Sequence, residues 1–123
     1  MRTLRILFVE DDPEMSSVYQ EIFFQPEFET AIAANGKIAL EMLRSGNKFD
    51  VVVSDQSMPG MDGITMLKNI RNEFPELLVI MVTGYGNWSD YLDGQKFGCV
   101  KFINKPIKMS ALRKLILNAN ISR

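Results

Sequence analysis

Val51-Val52-Val53-Ser54-Asp55, continuing as Gln56-Ser57-Met58-Pro59-Gly60-Met61-Asp62-Gly63, is the stretch whose reading decides the fold. Three consecutive β-branched residues, entered from Phe49-Asp50 and left through Pro-Gly and Gly signals, read as a short strand buried on both faces. Asp55 then falls where the strand ends and water begins. Open α/β sheets place their chemistry in the crevice outside the carboxyl ends of the strands, so a carboxylate held there on rigid backbone is a candidate reactive group. Glu10, Asp11, Thr83 and Lys105 also lie at or just after the ends of apolar runs.

The flanking chain repeats the pattern. Leu4 to Val9 is a first strand with Glu10-Asp11-Asp12 directly behind it. Asp12 suits a helix cap, Pro13 the first helical position, and Glu14 the positive end of the macrodipole. Met15, Val18, Tyr19, Ile22 and Phe23 share helical spacing, and Pro26 lies beyond that helix. Phe28 to Ala33 is a second strand; Asn35-Gly36 then opens a helix with Ile38, Ala39, Met42 and Leu43 on one stripe, closed by Ser45-Gly46-Asn47. Gly63 leads into a third helix through Ile64, Leu67 and Ile70, with Phe74 at its end. Leu77 to Val82 is a fourth strand ending at Thr83, followed by a flexible Gly84-Tyr85-Gly86-Asn87. A fourth helix is placed from about Trp88 to Phe97, with Gly94 in its interior at a cost of about 1 kcal/mol relative to Ala. Gly98 suits its stop, Cys99 to Ile103 is the fifth strand, and Lys105-Pro106 follows it. Met109, Leu112, Leu115, Ile116 and Ala119 define a final amphipathic helix. Five strands alternating with five helices at short spacing predict an α/β fold, a parallel sheet covered by helices on both faces. With no repeat or linker, residues 1–123 read as one domain.

The bulk numbers exclude several functions. Fourteen basic against fifteen acidic residues, a net charge of -1, leave no electrostatic footprint for nucleic acid or an anionic membrane, so direct nucleic-acid binding is not expected. A single cysteine, Cys99, rules out an internal disulfide, and the absence of histidine removes the commonest general base and zinc ligand. No apolar run approaches the roughly 20 residues a bilayer span needs, and Met1-Arg2-Thr3 does not open a signal peptide. A cytoplasmic location without membrane association is expected.

These residues together resemble the receiver domain of two-component response regulators over nearly the whole chain. In that family an acidic pair follows the first strand, as Glu10 and Asp11 do, and the phosphorylated aspartate ends the third, as Asp55 does. Its loop often reads M-P-x-M-D-G, here Met58 to Gly63; a Thr or Ser ends the fourth strand, here Thr83; and a Lys-Pro follows the fifth, here Lys105-Pro106. Each piece alone is weak, but their joint order and spacing are specific. The resemblance implies a flavodoxin-like (βα)5 doubly wound sheet of order 2-1-3-4-5.

It also implies a chemistry. Several carboxylates at one mouth repel one another, by about 4 kcal/mol per close pair at an effective dielectric near 20, and call for a cation. Hard oxygen ligands suit Mg²⁺, with Mn²⁺ able to substitute. Asp11 and Asp55 are expected to ligate it directly, the backbone carbonyl of Ser57 to add a further oxygen as the family implies, and Glu10 to act through water, while Asp12 caps the helix. Asp55 would be the phosphoacceptor, attacking a phosphohistidine supplied by a sensor histidine kinase or a histidine phosphotransfer protein, since this chain has no histidine of its own. Lys105 and Thr83 would each hold a phosphoryl oxygen. Phe102, three residues before the lysine, sits where the family often has a switching aromatic; the other reading makes it half of a core aromatic pair. Movement of Thr83 and Phe102 would reshape the face of the fourth helix, fifth strand and fifth helix, a surface for an output domain, a partner or a second copy.

Trp88 and Tyr91 depart from the smaller residues usual in the fourth helix, and Trp88 reads either as buried packing or as an anchor for a partner. Ser57 and Tyr85 occupy positions where the family tunes the lifetime of the phosphoryl group. A Mg²⁺-dependent phosphatase or phosphotransferase with an aspartyl-phosphate intermediate is an alternative, but such enzymes need a second aspartate where this chain has Ser57. A flavin-binding reading lacks a Ser/Thr-Gly-rich loop after the first strand. A receiver-shaped module that is never phosphorylated is disfavoured by the complete residue set. The favoured reading is a signalling switch and not an enzyme turning over an external substrate.

Overall fold

The alternating pattern folds into β1 (Leu4–Val9), α1 (Pro13–Ile22), β2 (Phe28–Ala33), α2 (Gly36–Arg44), β3 (Val51–Asp55), α3 (Gly63–Glu73), β4 (Leu78–Thr83), β5 (Val100–Asn104) and a last helix, Met109–Leu117. The computed structural model describes residues 3–24, 26–56, 60–61, 63–84 and 100–119. The helix expected from about Trp88 to Phe97, with Tyr91 and Gly94, lies outside the described residues, as do Ser57, Met58, Pro59, Asp62, Tyr85 and Cys99.

The five strands form one sheet in the order β2-β1-β3-β4-β5, with every neighbouring pair parallel. Side chains alternate across a strand, and the alternation sorts the core into two layers. Ile6, Phe8, Val51, Val53, Ile80 and Val82 meet Tyr19 of α1, Phe23 at its C-terminal cap, and Leu112 and Ile116 of the last helix. Leu7, Val9, Val52, Val79 and Met81 meet Leu40 and Leu43 of α2 and Met66, Leu67 and Ile70 of α3. Phe8 stacks on Tyr19 with ring centroids 4.2 Å apart, and Phe23 packs edge-on to Phe28.

Capping follows the expected chemistry. The Asp12 carboxylate accepts the Glu14 N–H at 3.0 Å and the Asn35 side chain accepts the Ile38 N–H at 2.9 Å, each satisfying a backbone donor the helix leaves open. Between α3 and β4, the Arg71 guanidinium donates to the carbonyls of Phe74, Pro75 and Leu77. Leu77, read from sequence as the first residue of β4, is held in that turn, and the strand begins one residue later. At the other edge β5 runs on to Asn104, which pairs with Thr83.

Each of the two expected apolar stripes loses one residue to the surface, while Tyr19, Phe23, Ala39 and Leu43 are buried and Met15, Ile22 and Met42 pack on the core as expected. Val18 and Ile38 are each 37% exposed, whereas Tyr19 and Leu40 turn inward. The stack of Tyr19 on Phe8 fixes the roll of α1, and α2 turns Gly36, Ala39, Leu40 and Leu43 to the sheet. Leu112→Ala is expected to cost about 2–5 kcal/mol in urea denaturation. Leu117→Ala, on the exposed side of the same helix, should stay within about 0.5 kcal/mol.

Candidate functional site

Register brings the acids together. Val9 of β1 lies opposite Ser54 of β3, so Glu10 and Asp55 leave the sheet side by side. The Glu10 N–H donates to the Ala33 carbonyl at 2.9 Å, keeping that residue in line with the end of β2. Asp55 faces Val82 of β4, and the Gln56 N–H donates to the Val82 carbonyl at 3.0 Å. On the far side the Lys105 N–H donates to the Thr83 carbonyl at 2.8 Å, and the Lys105–Pro106 peptide is cis. From this turn the Lys105 Nζ reaches Asp55 Oδ2 at 2.8 Å, an ion pair spanning fifty residues of sequence.

These groups open on a cleft of about 780 Å³ lined by Glu10, Asp11, Asp12, Asp55 and Lys105, with Met15, Val18, Pro106, Ile107 and Met109 as its apolar wall. The Asp55 side chain is 11% exposed and that of Lys105 44%. The carboxylate is fixed at the bottom of the cleft, and the ammonium rides above it on a solvated tether. Asp11 and Asp12 are exposed, and Glu10 is buried beneath them. Burial pushes the Glu10 carboxyl above the ordinary carboxylate range; the Asp12 N–H, donating to Oε2 at 3.2 Å, pulls it down, and the charges of Asp55 and Asp11 push it up again. Burial likewise raises the Tyr19 hydroxyl, with Glu10 and Asp55 adding to the effect.

Among the described residues no three acidic, histidine or cysteine side chains form a ready-made metal cage. The donor set nevertheless fits Mg²⁺, which binds through one or two carboxylates and keeps several waters. Glu10, Asp11 and Asp55 supply hard oxygens at one mouth, and their mutual repulsion at Glu10 is what a divalent cation relieves.

Thr83 ends β4, is buried, and donates its hydroxyl to the Gly84 carbonyl at 3.1 Å; it is not among the residues lining the cleft. Phe102 is partly buried and packs on the core shared with α2 and α3. Ser57 lies outside the described residues. Two features escaped the sequence reading. One is the apolar wall, for which the adjacency of Met15 and Val18 to the acidic run and of Ile107 and Met109 to Lys105 was the available signal. The other is Gln56, a polar residue just past the end of β3, buried at 6% exposure. The glycine of the loop motif has a steric reason. A Cβ at Gly63 would collide with Met81 Cε and lie 2.7 Å from Gln56 Oε1 and 3.0 Å from the Asp55 carbonyl.

Fold and site thus define a flavodoxin-like α/β protein with an acidic, lysine-capped pocket at its strand ends. The family model described as response regulator receiver domain matches residues 6–117. The two-component response regulator ORR26 of Oryza sativa subsp. japonica is 35% identical over 113 residues, which are 91% of this chain and 19% of that protein. The probable transcriptional regulator ycf29 of Porphyra purpurea is 33% identical over 115 residues, 92% of this chain and 54% of that protein. The crystal structure of a CheY-like response regulator receiver domain protein from Methanospirillum hungatei JF-1 superposes with a TM-score of 0.87 at 27% identity, covering 94% of this chain and 91% of that one. The chain belongs to the response regulator receiver domain family and is a receiver module of two-component signalling. It spans about a fifth to about half the length of these two curated relatives. Among the described residues no helix is long and apolar enough to cross a membrane.

Because the Glu10 pKa is raised by folding, the stability carried by its protonated form is present below the ordinary carboxylate pKa and lost as pH rises through the folded value. Glu10→Gln should therefore raise the melting temperature of the metal-free protein at neutral pH and flatten its acid-to-neutral decline. It should also shrink the rise that Mg²⁺ produces, all read by thermal melts with chelator or with added Mg²⁺.

Proposed function

We propose that residues 1–123 form a phosphoacceptor receiver in which Asp55 takes a phosphoryl group from a partner phosphohistidine. The observation that carries this is the Asp55–Lys105 ion pair of 2.8 Å set beside Glu10 and Asp11 in one cleft. An Asp55 carboxylate oxygen attacks phosphorus in line, the P–N bond breaks, and its electron pair returns to the departing imidazole. Asp11, Asp55 and the Ser57 carbonyl would hold Mg²⁺, or Mn²⁺ in its place, with Glu10 contacting it through water. Bound there, the ion supplies charge neutralisation at the phosphoryl oxygens. Lys105 meets one phosphoryl oxygen as it follows the charge out from Asp55, and the Thr83 hydroxyl turns from the Gly84 carbonyl to another.

The aspartyl phosphate adds about -1.5 to -2 charge at the mouth. Converting a 1:99 mixture of conformers to 99:1 takes about 5.5 kcal/mol of preference, within reach of a few charge-assisted hydrogen bonds. Inward movement of Thr83 frees space for Phe102 and alters the face around β5 and the last helix, which with the helix expected at 88–97 would meet an output domain, a partner protein or a second copy. The phosphoryl donor is a sensor histidine kinase or histidine phosphotransfer protein. The chain turns over no external substrate, and a cytoplasmic site of action suits its single cysteine.

Incubation with acetyl phosphate and Mg²⁺ should add one phosphoryl mass at Asp55, and Asp55→Asn should add none; an unchanged intact mass for the parent rejects the reading. Lys105→Ala is expected to accept the group yet leave partner affinity and oligomeric state unaltered, as read by sedimentation. A normal response from that variant would remove Lys105 from the switch.

A further inference from the structure

Gln56 follows Asp55 directly, and its backbone is fastened on both sides. Its N–H donates to the Val82 carbonyl on β4 at 3.0 Å, and its own carbonyl accepts the Gly63 N–H at the start of α3 at 2.9 Å. The Ser54 hydroxyl adds a tie to the Asp55 carbonyl at 2.9 Å. The side chain turns inward at 6% exposure, with Oε1 in the space that a Cβ at Gly63 would enter and with Met81 beside it. Burying an amide demands polar contacts that a leucine or methionine of similar volume does not. What the amide does offer is a polar wedge between the end of β3 and the first residue of α3, at the peptide that carries the acceptor.

We infer that Gln56 is a positioning residue for phosphoryl acceptance, its amide set against Gly63 so that the end of β3 cannot roll and Asp55 keeps its angle to Lys105 and the acidic pair. The inference rests on the phosphoacceptor reading above. Gln56 acts through the backbone of Asp55. An in-line transfer is sensitive to such placement, since a misplacement of about 1 Å can cost about a hundredfold in rate.

The test compares the parent with Gln56→Leu, Gln56→Met and, as a packing control at the same glycine, Met81→Leu. Acetyl phosphate is the donor, Mg²⁺ is varied, and amide resonances are followed by two-dimensional NMR without donor. Gln56→Leu is expected to bind Mg²⁺ within about threefold of the parent, to accept phosphate about tenfold or more slowly at saturating Mg²⁺, and to shift the Asp55 and Lys105 resonances. Met81→Leu should keep the parental rate. Gln56→Met, unbranched like glutamine, serves the same comparison if Gln56→Leu does not fold. A parental rate with unmoved resonances in the Gln56 variants, or an equal loss in Met81→Leu, overturns the inference. A parent chain that takes no phosphoryl group instead rejects the phosphoacceptor reading, and Gln56 falls with it.

Discussion

Parallel pairing of β1 with β3 is the constraint on which the site depends. With Val9 set opposite Ser54, the next residue of each strand must emerge on the same edge, and both are acids. Hydrophobic burial of the strands enforces this: Ile6, Leu7, Phe8 and Val51 to Val53 are essentially inaccessible on both faces, so sliding one strand along the other would draw the charged residues at its ends into the apolar layers. The core stabilises the sheet and thereby holds two carboxylates, Glu10 and Asp55, closer than their charges favour. Burial is the main cause of the raised Glu10 carboxyl, and the nearby charge of Asp55 adds to it.

The remaining elements answer to the same edge. β4 and β5 bring Lys105 to Asp55 through two backbone hydrogen bonds, Gln56 to Val82 and Lys105 to Thr83, the second closing the pairing of Thr83 with Asn104. The cation at the end of this chain of contacts sits on a solvated stem, whereas its partner is sunk in the cleft. Such a pair joins a rigid carboxylate to a compliant counter-charge, the arrangement that the phosphoryl acceptance proposed for Asp55 would use. α1 contributes Met15 and Val18 to the wall, because the roll that stacks Tyr19 on Phe8 leaves those two side chains to the cleft.

Much of this was legible in sequence because the signals were local. Asp12-Pro13 and Asn35-Gly36 announce helix starts through cap chemistry, and the apolar runs of β1, β3 and β4 announce buried strands through composition. The roll of the helices was legible only in part. Val18 and Ile38 are as apolar as their neighbours, and how each helix seats on the sheet, through the Tyr19–Phe8 stack for α1 and through its own small residues Gly36 and Ala39 for α2, decides which of them turns out. The start of β4 was displaced by Arg71, six residues away, whose hold on the Leu77 carbonyl has no sequence signature. The acids and the lysine could be named as neighbours, because each ends a strand. The ion pair and the depth of Glu10 depended on side-chain directions that no pattern encodes.

β5 has a property that follows from its pleat. Phe102 rests on the layer built with α2 and α3, and Ile103 on the layer built with α1 and the last helix. Among the described residues no helix is shared between those two layers, so the strand is a spindle with a gear on either side. A twist of its backbone by a few degrees would be felt at once above and beneath the sheet, giving the molecule two readable outputs for one input.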